Sequence, residues 1–178
     1  MLYKRIILLA GLIACLAPVS SVAEELGKLG GPAPPITVKE WIKGKPVNFK
    51  AGTNIYVLVF CTLSRANDLA ITNLSCLQKL DQDKGVIVVA ISDDPPEQLK
   101  AFLQLKGEEI DFTVAADDEA GKMTASYQHA FNQMMLPRAY VVGKDGTVLW
   151  LGHPLRDVMG LAVDEIASGR YNLEQERK

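Results

Sequence analysis

The chain has 178 residues, of which 48% are hydrophobic and 22% charged, and its formal net charge is −2. This length and apolar content suit one domain with a buried core. The slight acidity argues against a nucleic-acid-binding protein, which would normally carry a basic stripe, and the few cysteines argue against a scaffold held together by disulfides.

Residues 1–23 have the layout of a secretory signal peptide. A basic start with Lys4 and Arg5 precedes an apolar run over 6–16, and small residues end the segment at Ala23. Because the apolar run is too short to span a bilayer, we predict cleavage after Ala23. Cleavage would leave about 155 residues with two cysteines. Export in a bacterium means the periplasm or the cell envelope.

The same region allows a second interpretation. Leu12-Ile13-Ala14-Cys15 resembles a lipobox, in which Cys15 would be lipidated and become the first residue of the mature protein. Only in that case would the membrane be a partner of this chain. Both interpretations predict an exported protein.

The remainder is predicted to hold one domain. Residues 24–35 form a Gly/Pro-rich, flexible lead-in, 36–173 form the domain, and 174–178 form a charged, solvated tail. The stretch 36–49 contains two short extended candidates on either side of Gly44. No repeat or low-complexity block interrupts the domain.

Strands and helices then alternate along the chain. Apolar runs of about seven residues predict buried strands, and helical spacing of apolar residues predicts amphipathic helices. Asp93-Asp94-Pro95-Pro96 predicts a capped helix start, and Asp145-Gly146 predicts a hairpin turn. We predict strands at 54–60, 85–92, 112–116, 138–142 and 147–151, and helices at 67–80, 97–105, 121–131 and 155–167.

This order of elements predicts an α/β fold. Strands that alternate with helices form a largely parallel sheet covered on both faces, and the terminal hairpin makes the sheet mixed. In the first long helix, the apolar face is expected to run from Leu69 to Leu80 through Ile71, Leu74 and Leu77.

Several stretches together resemble the thioredoxin-like fold, a three-layer sandwich, and within it the exported TlpA/ResA-like and redoxin (AhpC/TSA-type) proteins. The resemblance implies thiol–disulfide exchange in the cell envelope, no cofactor, and protein thiols or extended protein segments as partners. It also implies that Pro137 is a cis-proline facing the active site and that Leu136 and Pro137 bind substrate. It is carried by residues 31–34 (GPAP), the strand ending in Phe60, 77–80 (LQKL), 84–93 (KGVIVVAISD), 136–146 (LPRAYVVGKDG) and 150–154 (WLGHP).

The family's active-site motif is absent. The family places W-C-x-x-C after the strand that ends in phenylalanine, where a helix N-terminus stabilises the thiolate. Aligned from Phe60 without gaps, the two motif cysteines fall on Arg65 and Asp68; aligned backward from 77–80, they fall on Ser64 and Asn67. The dithiol chemistry of the family is therefore not available at this place.

Cys61 is the first candidate for remaining chemistry. Cys61-Thr62-Leu63-Ser64 has the form C-x-x-S, a monothiol variant of the motif. A single thiolate can still form mixed disulfides or be oxidised, and Arg65 is near enough in sequence to lower the thiol pKa. We therefore consider Cys61, Ser64 and Arg65 as candidate catalytic residues. The other interpretation is that Cys61 is a small buried residue at a strand end.

Other polar and sulfur-bearing residues suit structural roles. A Cys61–Cys76 disulfide is unfavourable, because Cys76 lies roughly 15 Å along its helix and a disulfide needs Cα atoms within about 7 Å. We interpret Cys76 as a packed helix residue. Ser64 suits a helix N-cap and Asp68 a favourable first-turn charge.

Two methionines and two histidines remain to be interpreted. Met134 and Met135 either pack as a loop against the core or form a soft apolar patch beside the site. The histidines His129 and His153 show no metal-ligand spacing with the cysteines, so no metal is expected.

Two functional hypotheses follow. The first is an envelope protein of the thiol–disulfide oxidoreductase family that lacks the dithiol and acts at most through Cys61 opposite Pro137. The second is a non-catalytic relative that binds extended protein segments at the groove around Pro137.

Overall fold

A computed structural model gives the arrangement of the chain and describes residues 27–49, 52–66, 68–154 and 157–176. The predicted signal peptide, the alternative lipidation position Cys15, the motif position Asn67 and the expected start of the last helix at Leu155 lie outside these ranges. Within them, every helix falls short of the length and apolarity that a bilayer crossing needs.

Six strands form one mixed sheet. Their order across the sheet is β1-β4-β3-β2-β5-β6. The central strands β2, β3 and β4 are parallel, whereas β1 pairs antiparallel with β4, and β5 with both β2 and β6. The strands are β1 (Glu40–Lys43), β2 (Ile55–Cys61), β3 (Val86–Ser92), β4 (Thr113–Ala116), β5 (Arg138–Val142) and β6 (Val148–Gly152).

Helices follow the strands as the alternation predicts. They are α1 (Asp68–Asp81), α2 (Pro96–Lys106), α3 (Lys122–Phe131), α4 (Asp157–Ala167) and the short α5 (Leu173–Glu176). Single 3₁₀ turns lie at Leu63–Arg65 and Gln82–Lys84. The mixed α/β architecture expected from the sequence is thus confirmed.

Two apolar clusters lie on opposite faces of the sheet, which makes the three layers. Successive strand residues point to opposite faces, so Val57 and Val59 join one cluster while Leu58 and Phe60 join the other. The first cluster is closed by buried side chains of α1, α2 and α4, and the second by those of α3. Both faces of the central strands are therefore buried.

The structure corrects three expectations about local elements. Of the two extended candidates in 36–49, only Glu40–Lys43 is a strand, which pairs with β4 at the sheet edge. Leu69 and Leu80 are 64% and 75% exposed, because the buried arc of α1 is formed by Ile71, Leu74, Ser75, Leu77 and Asp81. The side chain of Asp94 does not cap α2, whose N-cap residue is Pro95 with no side-chain hydrogen bond.

The hairpin between β5 and β6 forms at the expected place. Gly146 has a φ of +82° in the turn, a left-handed value that suits glycine. The preceding Asp145 accepts hydrogen bonds from the backbone N–H and the hydroxyl of Thr147. Residues 30–33 pair with this hairpin through Gly30 N–H to Val148 O and Ala33 N–H to Gly146 O.

Helix α3 receives its cap from a residue outside its own first turn. Gly121, at the N-cap position, has no side chain to offer. Instead the buried carboxylate of Asp117 accepts hydrogen bonds from the N–H groups of Met123 (3.1 Å) and Thr124 (2.7 Å). Two of the unpaired donors at the helix start are thereby satisfied.

Candidate functional site

Three segments converge at one end of the sheet. β2 ends at Cys61 and leads into the 62–66 turn, while β5, antiparallel to β2, begins just after Pro137. The Leu136–Pro137 peptide bond is cis, as the resemblance implied. After β6, His153 and Pro154 reach the same place. Together with α1, these segments enclose a cavity of about 360 Å³ lined by Val59, Cys61, Thr62, Leu63, Arg65, Ala66, Ala70, Ile71, Leu74, Leu136, Pro137, His153 and Pro154.

Four of the five candidate residues meet at this cavity. Cys61, Arg65, Leu136 and Pro137 all line it. The fifth, Ser64, is directed instead towards the loop after β3. His153 also lines the cavity, although it was not among the candidate site residues predicted from the sequence. The signal for it was the 150–154 stretch, which takes part in the resemblance.

The surroundings of Cys61 favour its neutral thiol over the thiolate. Cys61 is half-buried, packs against the first core cluster, and lies opposite Ser92 in the parallel register of β2 and β3. Burial raises the pKa of this thiol from 9.0 to about 12, and the carboxylates of Asp93 and Asp94 add to the rise. A thiol kept protonated in this way is a poor nucleophile. The expectation that Arg65 could lower its pKa is not met.

Ser64 and Asp94 form the centre of a polar network beneath the 62–66 turn. The Ser64 hydroxyl donates to Asp94 Oδ1 at 2.6 Å, and the Ser64 N–H donates to Oδ2 at 2.9 Å. Ser92 Oγ also donates to Asp94 Oδ2 at 2.7 Å and accepts from the Leu63 N–H at 3.0 Å. Gln98 Nε2 donates to Ser64 Oγ at 3.0 Å. Ser64 therefore connects the 62–66 turn to the loop after β3 and does not cap α1.

The same hydrogen bonds set the charge state of Asp94. Burial by itself would raise the pKa of this carboxyl, but the bonds donated by Ser64 and Ser92 outweigh it and bring the pKa below the ordinary value of 3.8. Asp94 is therefore ionised at neutral pH. The sequence offered one signal for this network: Ser92 and Asp94 follow a parallel strand next to β2, so their loop ends at the same edge as the 62–66 turn.

Two sulfur-bearing elements are more exposed than the sequence suggested. Cys76 is exposed on α1, so its interpretation as a packed residue is wrong. Cys61 and Cys76 are both free thiols, in agreement with the geometric argument against a disulfide. Met134 and Met135, just before the cis-proline, are 65% and 72% exposed, so this loop does not pack them against the core.

The charged residues near the cavity differ in whether they form ion pairs. Every ion pair between described residues uses a lysine, so Arg65, which is exposed, has no carboxylate partner among them. Asp68, in the first turn of α1 as expected, pairs with Lys106. Within the described ranges, no three His, Cys, Asp or Glu side chains come together as a possible metal site.

Comparisons with known proteins agree with this architecture. The AhpC/TSA family matches residues 29–151. Protein FixW of Rhizobium leguminosarum is 28% identical over 148 residues, a match that covers 76% of this chain and 66% of that protein, just under two thirds of its length.

Two solved structures share the fold. A candidate protein disulfide isomerase from Bacteroides thetaiotaomicron superimposes with a TM-score of 0.64 at 18% identity, covering 80% of this chain and 92% of that one. The reduced 2-Cys peroxiredoxin of Plasmodium vivax gives 0.61 at 19% identity, covering 79% and 97%. At these identities the likeness concerns the fold.

The sheet order, the cis-proline beside the end of β2 and the family match over 29–151 lead to one conclusion: this chain belongs to the AhpC/TSA family and has the thioredoxin-like fold of the thiol–disulfide oxidoreductases.

Proposed function

We propose that this protein is a non-catalytic thioredoxin-like protein of the cell envelope that binds segments of partner proteins at the cavity beside cis-Pro137. The observation that carries the proposal is the state of Cys61. It is the one cysteine among the cavity-lining residues that the structure describes, and its pKa of about 12 keeps it protonated.

The chemistry of disulfide exchange explains why this observation matters. A thiolate is the attacking species, and a thiol with a pKa of about 12 is almost entirely protonated at pH 7. Active thiols of this kind are usually stabilised by a helix N-terminus or a neighbouring cation. Here Asp93 and Asp94 act in the opposite direction and disfavour the thiolate. The balance of charges around Cys61 supports binding rather than electron transfer.

The apolar part of the cavity supports a binding role. Leu136 and Pro137 line it together with side chains of α1 such as Ile71 and Leu74. Such a surface can hold an apolar side chain of an extended segment. A cavity of about 360 Å³ lies within the range of ligand sites. The disulfide-isomerase description of one structural neighbour is consistent with a protein as the partner.

The proposed location rests on the N-terminal sequence. Residues 1–23 carry the features of an export signal, with lipidation at Cys15 as the alternative. A single domain over 36–173 would then work in the periplasm or envelope. Fractionation of cells that express the full chain would test this: recovery of the protein in the cytoplasm at full precursor mass contradicts export.

The redox part of the proposal is tested by insulin reduction in dithiothreitol. We expect the wild-type protein to give the same rate as the reagent alone, and the Cys61→Ser variant to be indistinguishable from wild type. The Cys76→Ser variant is the matched control, since Cys76 is exposed and away from the cavity lining. A rate above background that disappears only in Cys61→Ser would instead establish monothiol activity.

The binding part is tested with reduced, carboxymethylated α-lactalbumin, an unfolded protein without free thiols. We expect saturable binding by fluorescence anisotropy that is lost when Leu136→Asp puts a charge into the cavity. Leu105→Asp is the matched control, because Leu105 is 84% exposed on α2. No binding to the wild-type protein, or equal binding to Leu136→Asp, contradicts the proposal.

A further inference from the structure

We infer that the segment bound at this cavity carries a carboxylate next to a large apolar side chain, and that Arg65 is the residue that selects it. The inference rests on the proposed function and adds the chemistry of the partner. It starts from the contrast within the cavity lining. Most of the surface is apolar, and the two side chains with basic nitrogens are Arg65 and His153. None of the lining residues that the structure describes carries a carboxylate.

Two carboxylates near the 62–66 turn are already engaged. Asp94 uses both oxygens to accept hydrogen bonds from Ser64 and Ser92. Asp68 pairs with Lys106. Because ion pairs between described residues all use lysines, the guanidinium of Arg65 keeps its five donors for solvent or a ligand. A carboxylate is the group that such a planar fork binds with two parallel hydrogen bonds.

The hydrogen bonds between Ser64 and Asp94 order the backbone next to Arg65. Both the N–H and the hydroxyl of Ser64 bind Asp94, and the Arg65 N–H donates to Thr62 O at 3.3 Å within the 3₁₀ turn. The backbone that carries the guanidinium is therefore ordered before any ligand arrives. Pre-ordering lowers the entropic cost of binding, so an interaction at Arg65 can contribute to selectivity.

The extent of the apolar surface indicates a protein segment rather than a small acid. Outside the cavity, the exposed Met134 and Met135 directly precede Leu136, and the exposed Leu69 directly precedes Ala70. Both Leu136 and Ala70 line the cavity, so exposed apolar side chains directly precede its lining in two segments. Exposed apolar surface of this kind marks sites of interaction between proteins. A ligand that fills only the cavity would leave it uncovered.

The test is selection of a phage-displayed library of random twelve-residue peptides on the wild-type protein and on Arg65→Gln in parallel. We expect wild type to enrich peptides in which Asp, Glu or the free C-terminus adjoins an aromatic or long aliphatic residue. The Arg65→Gln variant should not enrich them. Enrichment of neutral or basic peptides by wild type overturns the inference but leaves the proposed function standing. No enrichment by wild type overturns both.

Synthetic versions of an enriched peptide then measure the contact itself. The peptide and its carboxamide analogue are titrated into wild type, Arg65→Gln and Arg170→Gln, an exposed arginine of the C-terminal region. We expect about a tenfold loss of affinity from either change, no further loss when both are combined, and no loss in Arg170→Gln. Losses that multiply, or none for Arg65→Gln, contradict a direct contact.

Two further experiments test where the peptide binds and whether the carboxylate belongs to a protein segment or a small acid. Ala70→Trp and Ala66→Phe each fill the cavity, and either one that retains the wild-type circular dichroism spectrum should abolish peptide binding. Undiminished binding to such a variant places the peptide elsewhere and overturns the inference. 3-Phenylpropanoate serves as the small-acid probe. If it binds as tightly as the peptide, the partner is a small molecule and the protein-segment assignment is wrong.

Discussion

The hydroxyl of Ser64 donates a 2.6 Å hydrogen bond to the carboxylate of Asp94, thirty residues further along the chain. This contact joins the turn after β2 to the loop after β3, two parallel neighbours in the sheet. In the dithiol proteins that this chain resembles, the turn carries the redox motif. Here the same turn is hydrogen-bonded to the buried carboxylate of Asp94 in the loop after β3. The thiol of Cys61, which directly precedes the turn, remains protonated.

The reactivity of Cys61 should rise only at strongly alkaline pH. With a pKa of about 12 against an ordinary value of 9.0, the thiol is neutral throughout the physiological range. In a Cys76→Ser background, alkylation by iodoacetamide followed by mass spectrometry should show no inflection below pH 10. The exposed Cys76 in a Cys61→Ser background provides the comparison. An inflection for Cys61 near pH 7 would show that its thiolate is stabilised and would reopen the redox hypothesis.

Alkaline pH should also weaken the fold through the same thiol. The unfolded chain releases the proton near 9.0 and the folded chain near 12, so the contribution of this group is complete below pH 9 and falls as the pH rises above that value. The free energy of unfolding of wild type, measured in urea, should therefore decrease between pH 9 and 10.5 more steeply than that of Cys61→Ala. Parallel curves would be inconsistent with a raised pKa.

Removing Asp94 should destabilise the protein through the donors that it leaves unpaired. We expect Asp94→Ala to lower the free energy of unfolding by about 1–3 kcal/mol, because Ser64 and Ser92 lose their acceptor. Asp93→Ala is the matched control at an exposed neighbouring position, with an expected change within about 0.5 kcal/mol. Urea titrations of both variants and of Ser64→Ala measure the effect. Strictly additive losses for Ser64→Ala and Asp94→Ala would contradict their coupling.

Acid should remove the contribution of Asp94. Because the pKa of this carboxyl is lower in the folded protein than 3.8, its ionised form stabilises the fold above pH 3.8, and this contribution is lost as the pH falls through the folded-state pKa. The stability difference between wild type and Asp94→Asn should therefore be constant from pH 7 to 5 and shrink below pH 4. Thermal unfolding at several pH values checks this, and a difference that grows on acidification would reverse the assigned sign.

Asp117 should stabilise α3 although it lies outside that helix. Its carboxylate accepts from Met123 and Thr124, so Asp117→Ala leaves two buried helix donors without a partner. We expect a loss of about 1–3 kcal/mol in the free energy of unfolding. Glu119→Ala, which removes an exposed ion pair with Lys39, should change it far less, because solvent screens that pair. Equal effects of the two substitutions in urea would argue against a capping role.

Local sequence pattern was sufficient for most of the fold. Apolar runs and helical spacing predicted β2 to β6 and α1 to α4 in their correct order, because period and turn chemistry act over neighbouring residues. Where both the predicted and the observed ends fall on described residues, they agree within about two residues. The motif-based resemblance placed the cis-proline at Pro137. The exposure of Leu69 and Leu80 was missed, since the pattern does not specify which arc of a broad apolar stripe meets the sheet.

The candidate site, like the fold, could be predicted only in part from the sequence. The missing cysteine pair, and the position of Arg65 four residues after Cys61, follow from the sequence alone. The role of Asp94 does not: local rules assigned it to a helix cap, whereas the parallel pairing of β2 and β3 brings it to Ser64, which offers two donors. The protonated state of Cys61 was likewise decided by tertiary structure, because the burial and the neighbouring carboxylates that raise its pKa exist only once β3 lies beside β2.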